Sequence, residues 1–342
     1  TACKPGSEDS NATGMAVQAL SALGQTKAAQ SGAAWLEAHQ NTDGGIGTNP
    51  GAKSDANSTA LFVNALVAVG TDPASVAKNG KSAYDELLAL QVPCDAKVSA
   101  DRGAYAYQPD AGGALTANGY ATVQATLAAA GKALPVQPAG ADSAAPTADQ
   151  ACASGTPSTA AASADYAAGW LAALLKANGG SVPSDFGSGA DVGSTANAIL
   201  ALVATGHGSD AASAVTYLTK NGSTWAADKP AALALMALVA HATGASPTSF
   251  GGQDYVARIA ATLTVKAAAT ATPTPSSSPS TTKAPAPSPR GTTSGTGAGS
   301  AGSSAAGPTL PRTGGDVGVL AAGLALLGAG AGLLVLARRR RT

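Results

Sequence analysis

Along residues 1–265 the apolar positions recur every three or four residues in short blocks, each opened by a small polar residue and closed by a glycine. Residues 11–24 read NATGMAVQALSALG, 57–70 NSTALFVNALVAVG, 117–131 ANGYATVQATLAAAG and 193–206 GSTANAILALVATG, with 228–244 a looser fifth copy. The opening Asn, Ser or Thr can accept a free amide of a first helical turn, and the closing glycine can take the left-handed conformation that ends a helix. Five helices are predicted at these places. Between them lie blocks of a second kind, each centred on one aromatic: 28–40 around Trp35, 75–90 around Tyr84, 163–176 around Trp170, 210–219 around Tyr217 and 253–263 around Tyr255. About ten helices are therefore expected, in pairs. Alanine dominates both kinds, favours helix and lets helix axes approach closely. The closing glycines Gly24, Gly70, Gly131, Gly206 and Gly244 are unevenly spaced, which marks a degenerate repeat rather than a strict solenoid.

The turns between blocks are specific. Residues 40–47 read QNTDGGIG, and 176–180 close a helix with KANGG. Gln40 to Gly47 resembles the Gln-x-x-Asp-Gly-Gly-Phe-Gly turn of the prenyltransferase and squalene-cyclase repeats, with Ile46 at the aromatic position; Asp101-Arg102-Gly103-Ala104-Tyr105 and Ser184-Asp185-Phe186-Gly187 are weaker echoes. The resemblance spans roughly residues 8–265 and implies an all-α fold, an α/α toroid. A complete toroid of that family has about six helix pairs. The chain begins Thr1-Ala2-Cys3 with no initiating methionine, so a signal peptide and the first helices are expected to precede it.

Composition changes near residue 266. Residues 266–309 are Ala, Thr, Pro, Ser and Gly with almost no large apolar side chain, a composition that cannot build a core and reads as a disordered, wall-spanning stalk. Its proline-rich first half should be stiff and its glycine-rich second half flexible. Residues 317–337 then carry no charge and are followed by Arg338 to Arg341. As a helix that stretch reaches about 31 Å, enough to cross the roughly 30 Å hydrocarbon core of a bilayer, and the arginines would hold its end in the cytoplasm. Leu310, Pro311, Arg312, Thr313 and Gly314 stand just ahead of it. Residues 310–342 thus resemble the LPxTG sorting signal of Gram-positive surface proteins. The resemblance implies a sortase as partner, cleavage after Thr313, covalent attachment to peptidoglycan, and a membrane helix that serves only the precursor.

Net charge and aromatics narrow the remaining choices. The chain is neutral overall, but residues 310–342 carry four net positive charges and leave residues 1–309 four negative, which argues against nucleic acid as a partner. With three Phe and three Trp, the chain is also too poor in aromatics to line a large cavity for carbocation chemistry. The family's cyclases use an Asp-x-Asp-Asp acid, a string this chain lacks. The family's prenyltransferases hold zinc with Asp, Cys and His, whereas His39, His207 and His241 have no cysteine at ligand spacing. No catalytic residue, metal site or cofactor is assigned.

Asp43, Asp55, Asp101, Asp110, Asp191 and Asp228 sit beside glycine, serine or proline and suit caps and turns. Asp55 and Asp191 precede capped helices in comparable positions and could surround one end of the domain. Tyr105, Tyr107 and Tyr120 could join them as ligand contacts or could be edge packing. Three cysteines in an exported chain point to a disulfide. Cys94 with Cys152 closes the least regular segment and would be worth about 3 to 4 kcal/mol by loop entropy, leaving Cys3 for a cysteine upstream; Cys3 with Cys94 is the alternative. Three functions are consistent with this reading: a displayed, non-catalytic domain binding a small molecule or surface component, a terpene-cyclase-like or lyase-like enzyme, or a structural or adhesive surface protein.

Overall fold

The computed structural model describes residues 8–138, 152 and 157–270. These residues are mostly helical, with ten α-helices and two small antiparallel hairpins. The helices are α1 (Ser10–Ala22), α2 (Thr26–Ala38), α3 (Ala56–Ala68), α4 (Ala83–Ala89), α5 (Gly119–Ala129), α6 (Ala160–Ala177), α7 (Val192–Ala204), α8 (Ala212–Ala226), α9 (Pro230–Ala242) and α10 (Tyr255–Thr270).

Burial sorts them into two layers. The odd-numbered helices α3, α5, α7 and α9 are buried almost all round; in α9 every residue from 231 to 240 is buried. A helix apolar on every face must be covered on every face. The even-numbered helices carry only a stripe: α2 buries Ala29, Ala33 and Leu36, and α8 buries Ala214, Leu218, Gly222 and Ala226. Each odd helix packs on the next, α1 on α3, α3 on α5, α5 on α7 and α7 on α9, while α2, α6, α8 and α10 lie against them from outside.

The inner helices α1, α3 and α5 run in the same direction. Asn57, in the first turn of α3, donates to the carbonyl of Tyr120 in the first turn of α5 at 3.3 Å, and Asn64 further along α3 donates to the carbonyl of Lys132 beyond the end of α5 at 2.6 Å. Ser21 near the end of α1 likewise donates to the carbonyl of Ala68 at the end of α3. Small residues set the spacing: a Cβ at Gly14 of α1 would lie 2.9 Å from the carbonyl oxygen of Leu61 of α3. Two apolar clusters fill the space between the layers and meet at α5, which sends Ala121, Ala125 and Ala128 into one and Val123 and Leu127 into the other.

Three boundaries differ from expectation. The helix expected over 75–90 occupies only Ala83–Ala89; the residues before it form a 3₁₀ turn, Pro73–Ser75, and a hairpin of β1 (Ala77–Lys78) with β2 (Lys81–Ser82). Asn79 and Gly80 both have positive φ at its tip, the pairing that tight hairpins favour, and the helix then starts from a capping box between Ser82 and Asp85. A second hairpin, β3 (Val182–Pro183) with β4 (Ala190–Asp191), leads into α7. Helix α8 continues to Ala226, past the expected residue 219. Helix α10 continues to Thr270, five residues into the segment read as stalk. No helix among the described residues is long and apolar enough to cross a membrane. The rest of the stalk, the sorting pentapeptide Leu310 to Gly314 and the 317–337 stretch lie outside the described residues.

Candidate functional site

The entries to the inner helices share one construction. Asp9, Asp55, Asn118 and Asp191 are the N-caps of α1, α3, α5 and α7, each side chain accepting an amide of the first turn. Four positions after each cap stands a threonine: Thr13, Thr59, Thr122 and Thr195. In three repeats its hydroxyl oxygen accepts an amide of the incoming strand of chain, Ile46 at 3.2 Å, Tyr105 at 2.9 Å and Val182 at 2.9 Å. Each of those residues follows two places after a glycine of positive φ, Gly44, Gly103 or Gly180, whose missing Cβ makes room for a backbone carbonyl of an outer helix or its entry, at Ser82, Tyr166 or Ser213. Two glutamines brace the same turns: Gln40 donates to the carbonyl of Gly44 at 2.8 Å and Gln91 to that of Gly103 at 2.9 Å. The QNTDGGIG turn is therefore one instance of a joint that the fold uses three times.

These joints gather carboxylates where α3, α5 and α7 begin. Asp55 is 1% exposed; its two oxygens accept from the amide and the hydroxyl of Ser58, both at 2.8 Å. Burial pushes its carboxyl up to about 6, overriding the lowering effect of those bonds. Asp191 repeats the arrangement on Ser194, at 2.9 and 2.8 Å. Glu86, from outer helix α4, crosses over Gly45, where a Cβ would meet its Cγ at 2.7 Å and Ser54 Cβ at 2.7 Å. Burial, with the nearby charges of Asp43 and Asp55, lifts Glu86 to about 7. Asp43 itself accepts from Ser54 Oγ at 2.7 Å. Asp185, in the hairpin before α7, accepts the amide of Tyr120 at 2.8 Å and so adds a second side-chain cap to α5.

The three tyrosines separate. Tyr107 and Tyr120 are half-buried and bracket the start of α3: the Tyr107 carbonyl accepts the Ala56 amide at 3.0 Å, and the Tyr120 carbonyl accepts from Asn57. Burial first, and the charge of Asp55, raise Tyr107 to about 12; burial, with Asp191 and Asp55, raises Tyr120. Tyr105 does not join them. It is fully buried, and its hydroxyl bonds Ser163 Oγ, which donates in turn to Gln91 Oε1 at 2.8 Å, so its place is in the packing between α5 and α6.

Three residues absent from the sequence-level candidates belong to this end. Phe186, at the tip of the second hairpin, is 68% exposed and meets the Tyr120 ring edge-on with centroids 6.1 Å apart. Its Ser-Asp-Phe-Gly setting was the available signal. Glu86 carried none, because it reaches α3 only through the packing of α4. Asn57 is 4% exposed; its Nδ2 faces Tyr120 O and Gln124 Oε1, each at 3.3 Å, while its Oδ1 has no hydrogen-bond partner among the described residues. Asn11, at the matching position of α1, also has an unpartnered Oδ1. A buried acceptor without a donor costs about 1 to 3 kcal/mol, and a bound ligand bearing a donor would recover it.

No group of three or more His, Cys, Asp or Glu side chains among the described residues could hold a metal ion. Cys94 and Cys152 are joined, with Cα atoms 5.3 Å apart. No family model matches the chain, and no curated protein or solved structure matches it.

Proposed function

We propose that this chain is a sortase-anchored surface protein whose helical domain is an α/α toroid that binds a small molecule or surface component without transforming it. The observation that carries the anchoring is the order of three segments at the end of the chain: Leu310 to Gly314, the uncharged residues 317–337, and Arg338 to Arg341. Such an order suits a precursor held in the membrane while a sortase cysteine cuts after Thr313 and passes the acyl group to a peptidoglycan amine. Alternation of fully buried and one-face-buried helices, with α1, α3 and α5 parallel, is the support for the toroid. The support for binding is the end at which the inner helices begin, where carboxylates, two half-buried tyrosines and an unpartnered amide oxygen come together.

The anchoring is tested by digesting walls of the producing cell with a muramidase and sequencing the released chain by mass spectrometry. A C-terminus at Thr313 linked to a wall peptide is expected, and Thr313→Ala should leave the chain in the membrane fraction. An intact Arg338 to Arg341 tail on the mature protein would overturn the sortase reading.

A further inference from the structure

We propose that the end of the domain where α3, α5 and α7 begin is a receptor for a small organic cation bearing a protonated amine, held against the exposed Phe186 ring beside Tyr120 with an N–H donated to Asn57 Oδ1. This rests on the binding function proposed above and assigns its ligand class.

The first argument is an imbalance of charge. Asp55, Glu86 and Asp191 come together here. Among the described residues no Lys, Arg or His nitrogen lies within 4.0 Å of any of the three; the two ion pairs there join His207 to Asp165 and to Asp210, on another part of the domain. Asp55 is buried and Glu86 partly so, and each is costly to ionise without a countercharge, which a ligand cation would supply.

Hydrogen bonding points the same way. The donors beside the carboxylates are used within the protein: Ser58 and Ser194 on their aspartates, the Tyr120 amide on Asp185, and Asn57 Nδ2 on α5. What remains is an acceptor, Asn57 Oδ1, in a side chain that is 4% exposed. With its nitrogen turned to α5, the planar amide holds that oxygen on the other side, among the first turns of the inner helices. A carboxylate or phosphate ligand would meet that oxygen and the neighbouring carboxylates with like charge; an ammonium would find an acceptor in Asn57 Oδ1 and opposite charge beside it.

Shape selects the rest of the ligand. Phe186 is the exposed aromatic of the described residues, set on a hairpin tip and supported by the edge of Tyr120. An exposed ring beside uncompensated carboxylates provides both an apolar contact and a cation–π face. A compact amine with an apolar body fits this pairing.

Calorimetry on the full chain in a neutral detergent tests the assignment with four ligands of one shape: benzylamine, benzyltrimethylammonium, benzyl alcohol and benzoate. Benzylamine should bind, benzyltrimethylammonium more weakly because it has no N–H for Asn57, and the neutral and anionic probes at least about tenfold more weakly than benzylamine. Phe186→Ala, at an exposed position where folding is not at stake, should weaken benzylamine about fivefold; Asn57→Leu should erase the difference between benzylamine and its trimethyl analogue. Benzyl alcohol or benzoate binding as well as benzylamine would overturn the cation assignment and leave the binding function standing. No heat from any of the four, or benzylamine binding unchanged by Phe186→Ala, would overturn the site itself.

Discussion

The backbone amide of Tyr105 donates to Thr122 Oγ1 at 2.9 Å, deep between α5 and the chain that leads into it. That bond fixes where a long loop re-enters the fold, and it has counterparts at Thr59 and Thr195. Replacing Thr122 by valine keeps the shape and leaves the Tyr105 amide buried without an acceptor, so a loss of about 1 to 3 kcal/mol is expected in urea unfolding. Thr126→Val is the control. Thr126 is equally buried, but its hydroxyl donates only to the Thr122 carbonyl one turn back, and its loss should cost well under about 1 kcal/mol. Equal losses would show that the joint adds nothing beyond a filled core position.

Gly44 should tolerate no side chain. Its φ is +94°, and a Cβ there would stand 2.1 Å from the Ser82 carbonyl oxygen, a backbone atom that cannot swing aside. Gly44→Ala is expected to destabilise by more than about 3 kcal/mol, since strain and displacement of α4 combine. Gly51 has φ +78° with nothing within 4 Å of the added carbon, and Gly51→Ala should cost only about 1 kcal/mol. Thermal unfolding of the two variants decides between strain alone and the close approach.

Glu86 and Asp55 should make stability depend on pH in an uncommon direction. Both carboxyls are raised by folding, from 4.5 to about 7 and from 3.8 to about 6, so the folded state holds their protons more tightly than the unfolded chain does. Their contribution is then fullest in acid and fades as pH rises from about 4 through 7. Glu86→Gln removes the charge that builds up across that window. The variant should gain about 1 kcal/mol relative to the parent chain at pH 8 and nothing at pH 4, a modest figure because Glu86 keeps part of its hydration. Denaturant curves at the two pH values that shift equally would contradict this.

The link between Cys94 and Cys152 spans 58 positions of the chain. Cys152→Ala, or reduction in mild denaturant, is expected to lower stability by about 3 to 4 kcal/mol through the larger freedom of the unfolded chain. The inner helices should persist, since neither cysteine belongs to one of them. Circular dichroism of the reduced protein showing loss of most helical signal at room temperature would contradict that division.

Much of the helical fold is legible in the sequence because each unit carries its own punctuation. Caps such as Asp55 and Asn118 and closing glycines such as Gly70 and Gly131 act locally, so no tertiary knowledge is needed to place α3 or α5. The helix expected over 75–90 failed for an equally local reason: Asn79-Gly80 is a hairpin signal inside what reads as helical spacing. Side-chain neighbourhoods were less accessible. Tyr105 and Tyr107 stand two apart in sequence, yet the pull of Thr122 on one amide takes Tyr105 into the core and leaves Tyr107 beside Asp55. Glu86 comes to Asp55 only because Gly45 leaves space for it to cross, a relation between two layers that no periodicity records.

Gln40 reaches the Gly44 carbonyl four positions on, whereas Gln91 makes the same bond to Gly103 twelve positions on, with the loop bearing Cys94 paid out between them. The two ends of the joint are pinned independently, the glutamine by its own helix and the glycine by the threonine that holds the residue two places later. Chain added between them changes neither the angle nor the phase at which the next inner helix begins. A foreign peptide spliced at the exposed Lys97 and Val98, between Gln91 and Gly103, would therefore be carried as a loop on an unchanged frame, which makes that interval the natural port for displaying a chosen sequence on this domain.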